Sequence, residues 1–149
     1  MKNITGIITT LNEERNIEEA IRSLQQVCNE IIVVDSLSED NTVEIAKKAG
    51  AQVVLQAYLG DGIQKNVGIK YAIENGADYV ALFNNDAIAD KNWLKELATS
   101  IESNPRLGAV TSKFMRLDKT RLDSTGDFYT WHGLPFPRGR NEIDNNQYD

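Results

Sequence analysis

The chain has 149 residues, of which 41% are hydrophobic and 26% are charged, and its net charge is −6. These values are typical of one soluble globular domain with a sizeable core. The acidic balance argues against broad binding to nucleic acid, which normally needs a basic face. No apolar run approaches the roughly 18 residues needed to span a bilayer. The single cysteine, Cys28, excludes an internal disulfide, favours a cytoplasmic setting and is predicted to lie in the core.

Short β-branched runs predict strands, and apolar residues that recur every three or four positions predict helices. In chain order the predicted elements are a strand Ile4–Leu11, a helix Ile17–Cys28, a strand Ile31–Val34, a helix Asn41–Gly50, a strand Ala51–Leu55, a helix Gly62–Glu74, a strand Tyr79–Phe83, a helix from Asp90 to Ile101 and a strand Gly108–Phe114. We expect a capping box between Asn41 and Glu44. This alternation predicts a doubly wound, mainly parallel α/β sheet. Residues 118–149 lack periodicity and are expected to form loops and short strands.

Polar side chains follow three of the predicted strands. Thr10-Leu11-Asn12-Glu13 ends the first strand, Asp35-Ser36 ends the second, and Asn84-Asn85-Asp86 ends the fourth. The carboxyl ends of parallel strands meet at one edge of the sheet, where open α/β sheets bind ligands. Carboxylate and amide oxygens suit a hard divalent cation bound together with a diphosphate. The sequence therefore predicts a ligand site at this edge.

Four motifs carry a resemblance to a known family. They are Ile8-Thr9-Thr10-Leu11-Asn12-Glu13-Glu14, then Ile31-Ile32-Val33-Val34-Asp35-Ser36-Leu37-Ser38-Glu39-Asp40-Asn41-Thr42, then Lys65-Asn66-Val67-Gly68, and Phe83-Asn84-Asn85-Asp86. In order and spacing they resemble the inverting GT-A fold glycosyltransferases of family 2. The resemblance implies a three-layer α/β/α fold and transfer of a sugar from a UDP- or dTDP-sugar to an acceptor hydroxyl. Residues 122–126 and 138–140 resemble the rhamnosyltransferase branch, and residues 59–66 resemble the branch that modifies the lipopolysaccharide core.

The resemblance assigns roles to residues of the first two strand ends. Thr9, Leu11 and Glu13 are expected near the base and ribose of the donor nucleotide. Asp35 is expected to accept the imide N–H of uracil or thymine, which would reject cytosine. Two structural alternatives remain open. Glu13 could instead complement the positive end of the following helix, and Asp35 could cap the turn with Ser36.

A basic residue is expected beside the donor diphosphate. By resemblance this residue is Lys65, which would supply a point charge without bidentate geometry. The alternative is a solvated lysine on the surface of the helix. Asp61 and Asn66 are weaker candidates that would position the neighbouring groups.

The triplet after the fourth strand is expected to bind a divalent cation. Asn84 and Asp86 correspond to the outer positions of the family's Asp-x-Asp metal motif, and Asn85 lies between them. Asn84 and Asn85 are expected to bind the donor nucleotide. An amide here replaces the first carboxylate, as in rhamnosyltransferase-like members, which should weaken the affinity for the metal. Asp86 is the expected ligand of Mg²⁺ or Mn²⁺ bridging the donor phosphates.

The resemblance also divides the chain. Residues 1–116 would bind the donor, and residues 117–149 would begin a loop-rich acceptor region of the same domain. The family's general base follows a Gly-Gly-Phe-Asp-like stretch that this sequence lacks, so we expect a truncated chain whose catalytic residue is unknown. Asp123 and Asp127 are candidate replacements for this base. The alternative function is a non-catalytic module that binds a nucleotide-sugar.

Further expectations concern partners and location. The acceptor would be a saccharide or a lipid-linked molecule in the synthesis of cell-surface polysaccharide or glycolipid, at the inner face of the cell membrane. Apolar surface left uncovered would favour a homodimer. A nucleotidyltransferase is disfavoured because no Gly-rich, Lys/Arg-bearing phosphate loop follows the first strand. Three aromatic residues could stack on a sugar or form an ordinary apolar cluster, namely Phe128, Tyr129 and Trp131. The single histidine, His132, is expected to lie in a solvent-exposed loop.

Overall fold

The computed structural model of the protein describes residues 2–148 and contains eight strands and four helices in this range. In chain order they are β1 (Ile4–Thr10), α1 (Ile17–Leu24), β2 (Glu30–Asp35), α2 (Thr42–Lys48), β3 (Gln52–Leu55), α3 (Asp61–Glu74), β4 (Tyr79–Phe83), α4 (Trp93–Glu102), β5 (Phe114–Met115), β6 (Leu122–Ser124), β7 (Asp127–Tyr129) and β8 (Pro135–Pro137). They form two compact units, Met1–Lys95 and Glu96–Asp149. No helix among the described residues is both long enough and apolar enough to cross a membrane.

The first unit is built around a parallel four-stranded sheet with the strand order β3-β2-β1-β4. Thr10 pairs with Asp35, and Asp35 pairs with Leu55, so the strands β1, β2 and β3 end at the same level. Ile8 of β1 pairs with Phe83, the last residue of β4. The carboxyl ends of all four strands therefore lie along one edge, and the predicted parallel α/β sheet is confirmed.

Helices cover both faces of this sheet. Alternate residues of a strand point to opposite faces, so Ile8 packs with the α1 side and Ile7 packs with the α3 side. The face beneath α1 and α2 is lined by Ile8, Ile17, Ala20, Ile21, Leu24, Ile31, Val33, Ala46 and Ala51. The opposite face is lined by Ile7, Ile32, Val34 and Ala72. This three-layer α/β/α arrangement explains why β2 is apolar throughout its centre.

α3 lies unusually close to the sheet because it has a glycine at its contact point. A Cβ atom on Gly68 would lie 2.6 Å from Cγ2 of Ile7 and 3.1 Å from Cγ2 of Val34. Gln64 and Ala72 are buried on the same side of the helix, one turn before and one turn after Gly68. The absence of a side chain at Gly68 thus sets the depth at which α3 packs.

The second unit contains two small antiparallel pairs, β5 with β6 and β7 with β8. Arg138 joins the segments around them, because its Nε donates to Thr125 Oγ1 (2.9 Å) and its Nη2 donates to the Thr125 carbonyl (2.7 Å). The guanidinium also lies over the ring of Tyr148, 5.0 Å from its centroid. The predicted loops and short strands of this region are confirmed.

One predicted strand and the predicted end of one helix are wrong. The predicted strand Gly108–Phe114 is not formed, because residues 108–113 have no strand structure and only Phe114 and Met115 pair, antiparallel, with β6. The polar residues 111–113 interrupt the apolar run, which is too short to add a parallel strand. The first helix ends at Leu24 rather than Cys28.

The capping box predicted for α2 is also wrong. Asn41 makes no capping hydrogen bond, and its Nδ2 donates to Glu14 Oε2 instead (3.0 Å). The cap comes from Asp40, whose Oδ1 accepts the backbone N–H of Thr42 (2.9 Å). Glu44 pairs with Lys48 along the helix, so it does not reach back to the helix start.

Cys28 lies in the core contact that the sequence predicts, although it follows α1 rather than belonging to it. It packs against the cluster beneath α1 and α2, and a Cβ atom on Gly6 would lie 3.0 Å from its Sγ. Burial raises the pKa of the Cys28 thiol from 9.0 to about 11, although a hydrogen bond with the Gly6 backbone opposes the shift. The thiol is therefore neutral at physiological pH and is a packing residue.

Candidate functional site

The loops that follow β1 and β2 are joined by hydrogen bonds at the carboxyl edge of the sheet. Asn12 has a φ of 54°, in the left-handed region that Asn tolerates, and its N–H donates to Ser38 Oγ (2.8 Å). Its Oδ1 accepts the N–H of Glu39 in return (2.9 Å). The N–H of Glu13 donates to Thr42 Oγ1 (2.8 Å). These bonds join the loops after β1 and β2 into one continuous rim.

Asp35 holds the loop after β2 in place through two hydrogen bonds with Ser38. Its side chain is fully buried, its Oδ1 accepts the N–H of Ser38 (2.8 Å), and its Oδ2 accepts the hydroxyl of Ser38 (2.5 Å). The turn that it closes reaches Ser38, not Ser36 as the structural alternative predicted. The recognition of a base by Asp35 stays a prediction, because a carboxylate oxygen can accept a second hydrogen bond.

Asp40 and Glu13 are engaged in the same loops. Desolvation raises the pKa of Asp40, but hydrogen bonds from Thr42 and from the Glu14 N–H lower it by more, so the net shift is downward. Asp40 is therefore an ionised loop anchor near neutral pH. Glu13 is half-buried, and its Oε2 accepts a hydrogen bond from Asn16 Nδ2 (2.8 Å) at the start of α1.

A cleft of about 200 Å³ opens between this edge of the sheet and the start of α3. Its lining residues are Thr9, Thr10, Leu11, Ser36, Tyr58, Asp61, Gln64 and Asn85. Three of the predicted donor residues, Thr9, Leu11 and Asn85, are thus brought together. Asn85 also donates from Nδ2 to the Thr9 carbonyl (3.3 Å), which holds the triplet after β4 against the end of β1.

Lys65 lies one helical turn from the cleft wall. Its Nζ is 2.6 Å from Asp61 Oδ2, and Asp61 Oδ1 is 3.5 Å from Thr9 Oγ1. About a third of the Lys65 side chain is exposed. Because an ion pair at the surface contributes little, an anionic ligand can compete with Asp61 for this ammonium group. Lys65 therefore places a positive charge beside the cleft without being part of its lining.

The predicted metal residues lie in the turn after β4. Asn84 and Asp86 are exposed, and Asn85 between them is half-buried. Within residues 2–148, no three His, Cys, Asp or Glu side chains cluster in a way that could hold a metal ion. A Mg²⁺ ion needs only one or two protein carboxylates when substrate phosphates and waters supply the other oxygens. The carboxylate of Asp86 and the amide oxygen of Asn84 fit that donor set.

Not every predicted site residue lines the cleft. Glu13, Asp35, Lys65, Asn84 and Asp86 lie outside its lining. Sequence reasoning placed Thr10 and Ser36 at this edge without giving them a role in binding, and it missed Tyr58 and Gln64. A signal for Gln64 was present, because it repeats with Gly68 and Ala72 on a buried helical face where a polar residue is unexpected.

Comparison with known proteins identifies the family of this chain. The model of the family described as Glycosyl transferase family 2 matches residues 5–149. The chain belongs to this glycosyltransferase family. It is 42% identical over 101 residues to an uncharacterised glycosyltransferase of Rickettsia bellii, a match that covers 68% of this chain and 32% of that protein. It is 31% identical over 119 residues to the poly-β-1,6-N-acetyl-D-glucosamine synthase of Staphylococcus aureus, covering 74% of this chain and 28% of the relative.

Solved structures of glycosyltransferases show the same fold. Glucosyl-3-phosphoglycerate synthase of Mycobacterium tuberculosis in complex with UDP superimposes with a TM-score of 0.58 at 25% identity, covering 69% of this chain and 41% of that chain. A second structure of that enzyme contains Mn²⁺, UDP-glucose and phosphoglyceric acid, with a TM-score of 0.56 at 26% identity, over 67% of this chain and 39% of that one. The GT-A α/β fold predicted from the motifs is therefore confirmed. The chain spans about a third of the length of the curated relatives that it matches.

Proposed function

We propose that this chain is the donor-binding part of a glycosyltransferase that moves a sugar from a UDP- or dTDP-sugar to an acceptor hydroxyl, with inversion. The observation that carries the proposal is the cleft at the carboxyl edge of the sheet, where Thr9, Leu11 and Asn85 converge beside the Asp61–Lys65 pair. Open α/β sheets bind nucleotides at this edge. The complex of the similar mycobacterial glucosyl-3-phosphoglycerate synthase with UDP supports the choice of ligand.

We assign the nucleoside and the diphosphate of the donor to different parts of the carboxyl edge of the sheet. The nucleoside lies near Thr9, Leu11 and Glu13, and Asp35 accepts the imide N–H of the base. Lys65 turns from Asp61 toward the diphosphate and supplies positive charge as the leaving group departs. This division is supported by the positions of the residues, because the loops after β1 and β2 form the rim, whereas Lys65 lies on α3 and pairs with Asp61 of the cleft lining.

A divalent cation is part of the proposal. Asp86, helped by the Asn84 amide, would hold Mg²⁺ or Mn²⁺ against the donor phosphates. When bound, the ion neutralises the negative charge that develops on the diphosphate. The complexes of the mycobacterial relative with Mn²⁺ support this expectation.

Two carboxylates of the second unit are candidates for the base that deprotonates the acceptor hydroxyl. Asp123 lies between two guanidinium groups, 3.8 Å from Arg116 and 3.9 Å from Arg140, and Asp127 is exposed on β7. The pairing of Asp123 favours a structural role for it and leaves Asp127 as the freer candidate base. A saccharide or lipid-linked acceptor in polysaccharide or glycolipid synthesis, a division near residue 116, a homodimer and a cytoplasmic location all remain proposals.

A second candidate is nucleotide-sugar binding without turnover, which is favoured by the pairing of one candidate base, Asp123, with Arg116 and Arg140. Turnover separates the two candidates. The chain would be incubated with Mn²⁺ and a panel of UDP- and dTDP-sugars, and release of the nucleoside diphosphate would be measured. Release above that of an Asp86→Ala variant supports the transferase. Metal-dependent binding without release supports the binding module and contradicts the proposed activity of this chain.

A further inference from the structure

Gln64 is a buried polar residue at the bottom of the proposed donor cleft. It is only 1% exposed and lies on the inner face of α3, directly before Gly68 on the same side. Burying an amide is unfavourable unless its polar atoms find hydrogen-bond partners. Gly68 brings this part of α3 close to the sheet, which places the Gln64 amide among the loops that follow β2 and β3.

The nitrogen of this amide is fully used. Nε2 donates to Ser36 Oγ (3.0 Å), to the Gln56 carbonyl (3.2 Å) and to the Ala57 carbonyl (3.2 Å). Two carbonyl oxygens can only accept, so they fix which end of the amide is the nitrogen. Gln64 therefore fastens α3 to the loop after β2 and to the loop after β3 at once.

The oxygen of the same amide has no partner. Among residues 2–148, Gln64 Oε1 is one of two buried side-chain atoms without a hydrogen bond, and Gln64 lines the cleft. The other atom is Thr10 Oγ1, in a residue that also lines the cleft. Unpaired buried acceptors are rare in native structures and call for an explanation such as a ligand.

The chemistry of a nucleoside diphosphate limits what Oε1 can bind. An amide oxygen accepts hydrogen bonds and donates none. The diphosphate offers only acceptor oxygens when it is ionised, so it would be repelled. The nucleoside carries donors, namely the imide N–H of uracil or thymine and the ribose hydroxyls.

We propose that Gln64 is a specificity-determining residue of the donor site, whose Oε1 accepts a hydrogen bond from a ribose hydroxyl of the nucleoside, because the single imide N–H is already assigned to Asp35. The proposal rests on the proposed function, because it names what the same cleft recognises. The hydroxyl group of Ser36 is proposed as a second contact for the ligand. Its Oγ accepts from Gln64, which leaves the hydroxyl hydrogen of Ser36 for an acceptor on the ligand.

The test measures affinities for four nucleotides by calorimetry, in unaltered protein and in Gln64→Met, which preserves side-chain length but removes both polar atoms. The nucleotides are UDP, CDP, 2′-deoxy-UDP and 3′-deoxy-UDP. We expect Gln64→Met to weaken UDP binding by about tenfold. We also expect it to abolish the preference for UDP over 2′-deoxy-UDP if the donor is the 2′-hydroxyl, or over 3′-deoxy-UDP if it is the 3′-hydroxyl, and to leave the preference for UDP over CDP unchanged. Gln25→Met, which alters an amide outside the cleft lining, is the control and should leave all four affinities unchanged.

A purely structural role for Gln64 would give a different result. Loss of the fastening alone would lower all four affinities by the same factor, and that outcome would overturn the proposal. If Gln64→Met does not fold, unaltered protein still decides, because equal affinities for UDP, 2′-deoxy-UDP and 3′-deoxy-UDP would show that no ribose hydroxyl is recognised. Failure of the proposed function looks different again, since unaltered protein would then bind none of the four nucleotides.

Discussion

Replacing Gly68 by alanine should destabilise the protein, because α3 is packed too closely on the sheet to admit a methyl group. The new Cβ would lie 2.6 Å from Ile7 Cγ2, 3.1 Å from Val34 Cγ2 and 3.2 Å from Ile7 Cδ1. Such contacts fall well inside the optimal carbon–carbon separation of about 3.5–4.0 Å. Overpacking of this kind costs about 1–3 kcal/mol, and the gain in helix propensity returns only about 0.5–1 kcal/mol.

Gly62 supplies a matched control on the same helix. A Cβ atom there would meet no atom within 4 Å, so Gly62→Ala should be neutral or slightly stabilising. The difference between the two variants isolates the packing cost and should be about 1–3 kcal/mol in the free energy of unfolding. Urea unfolding followed by circular dichroism measures it. Equal stability of the two variants would refute the close packing of α3 that positions Asp61 and Gln64.

Other predictions address the cleft and the core. Lys65→Ala should weaken the binding of UDP but not of uridine, because the lysine is proposed to contact the diphosphate. The control is Lys70→Ala, which breaks an exposed pair with Glu74 on the same helix and should change neither affinity. A loss of affinity for uridine in Lys65→Ala would contradict the diphosphate role. Asp35→Ala should weaken UDP binding by about 1–3 kcal/mol. Ser38→Ala should leave most of that affinity intact, because the carboxylate is kept; equal losses in the two variants would mean that Asp35 only anchors its loop. At pH 8, Cys28 should react with iodoacetamide about 100-fold more slowly than a thiol with a pKa of 9.0, and a rate equal to that of a free thiol would contradict its burial. Since the folded pKa of Cys28 is raised, its contribution to stability should be complete below pH 9 and should decline as the pH rises toward 11.

The fold was largely predictable because its signals are local. The centre of β2 is apolar, and polar residues follow β1, β2 and β4, as expected for a parallel α/β sheet. The error at Gly108–Phe114 has a physical cause, since pairing of a short strand depends on a distant partner such as β6. The capping error at Asn41 arose because Glu14, from another loop, competes for its side chain.

The candidate site was predictable in outline but not in detail. The strand-end motifs placed Thr9, Leu11 and Asn85 at the cleft. Spacing alone does not reveal that Ser38 occupies both oxygens of Asp35, or that Gln64 reaches two loops from α3. These contacts depend on how closely a helix packs and how two loops bond across space, and neither is encoded in a local pattern.

The most direct test of nucleotide binding at this edge is a calorimetric titration with UDP and dTDP, with CDP as control, in the presence and absence of Mn²⁺. We predict binding of UDP or dTDP that strengthens with Mn²⁺ and exceeds the binding of CDP, and in Asp86→Ala we predict that the metal dependence is lost. Absence of binding by the folded protein, with and without Mn²⁺, would contradict the assignment of the cleft as a donor site.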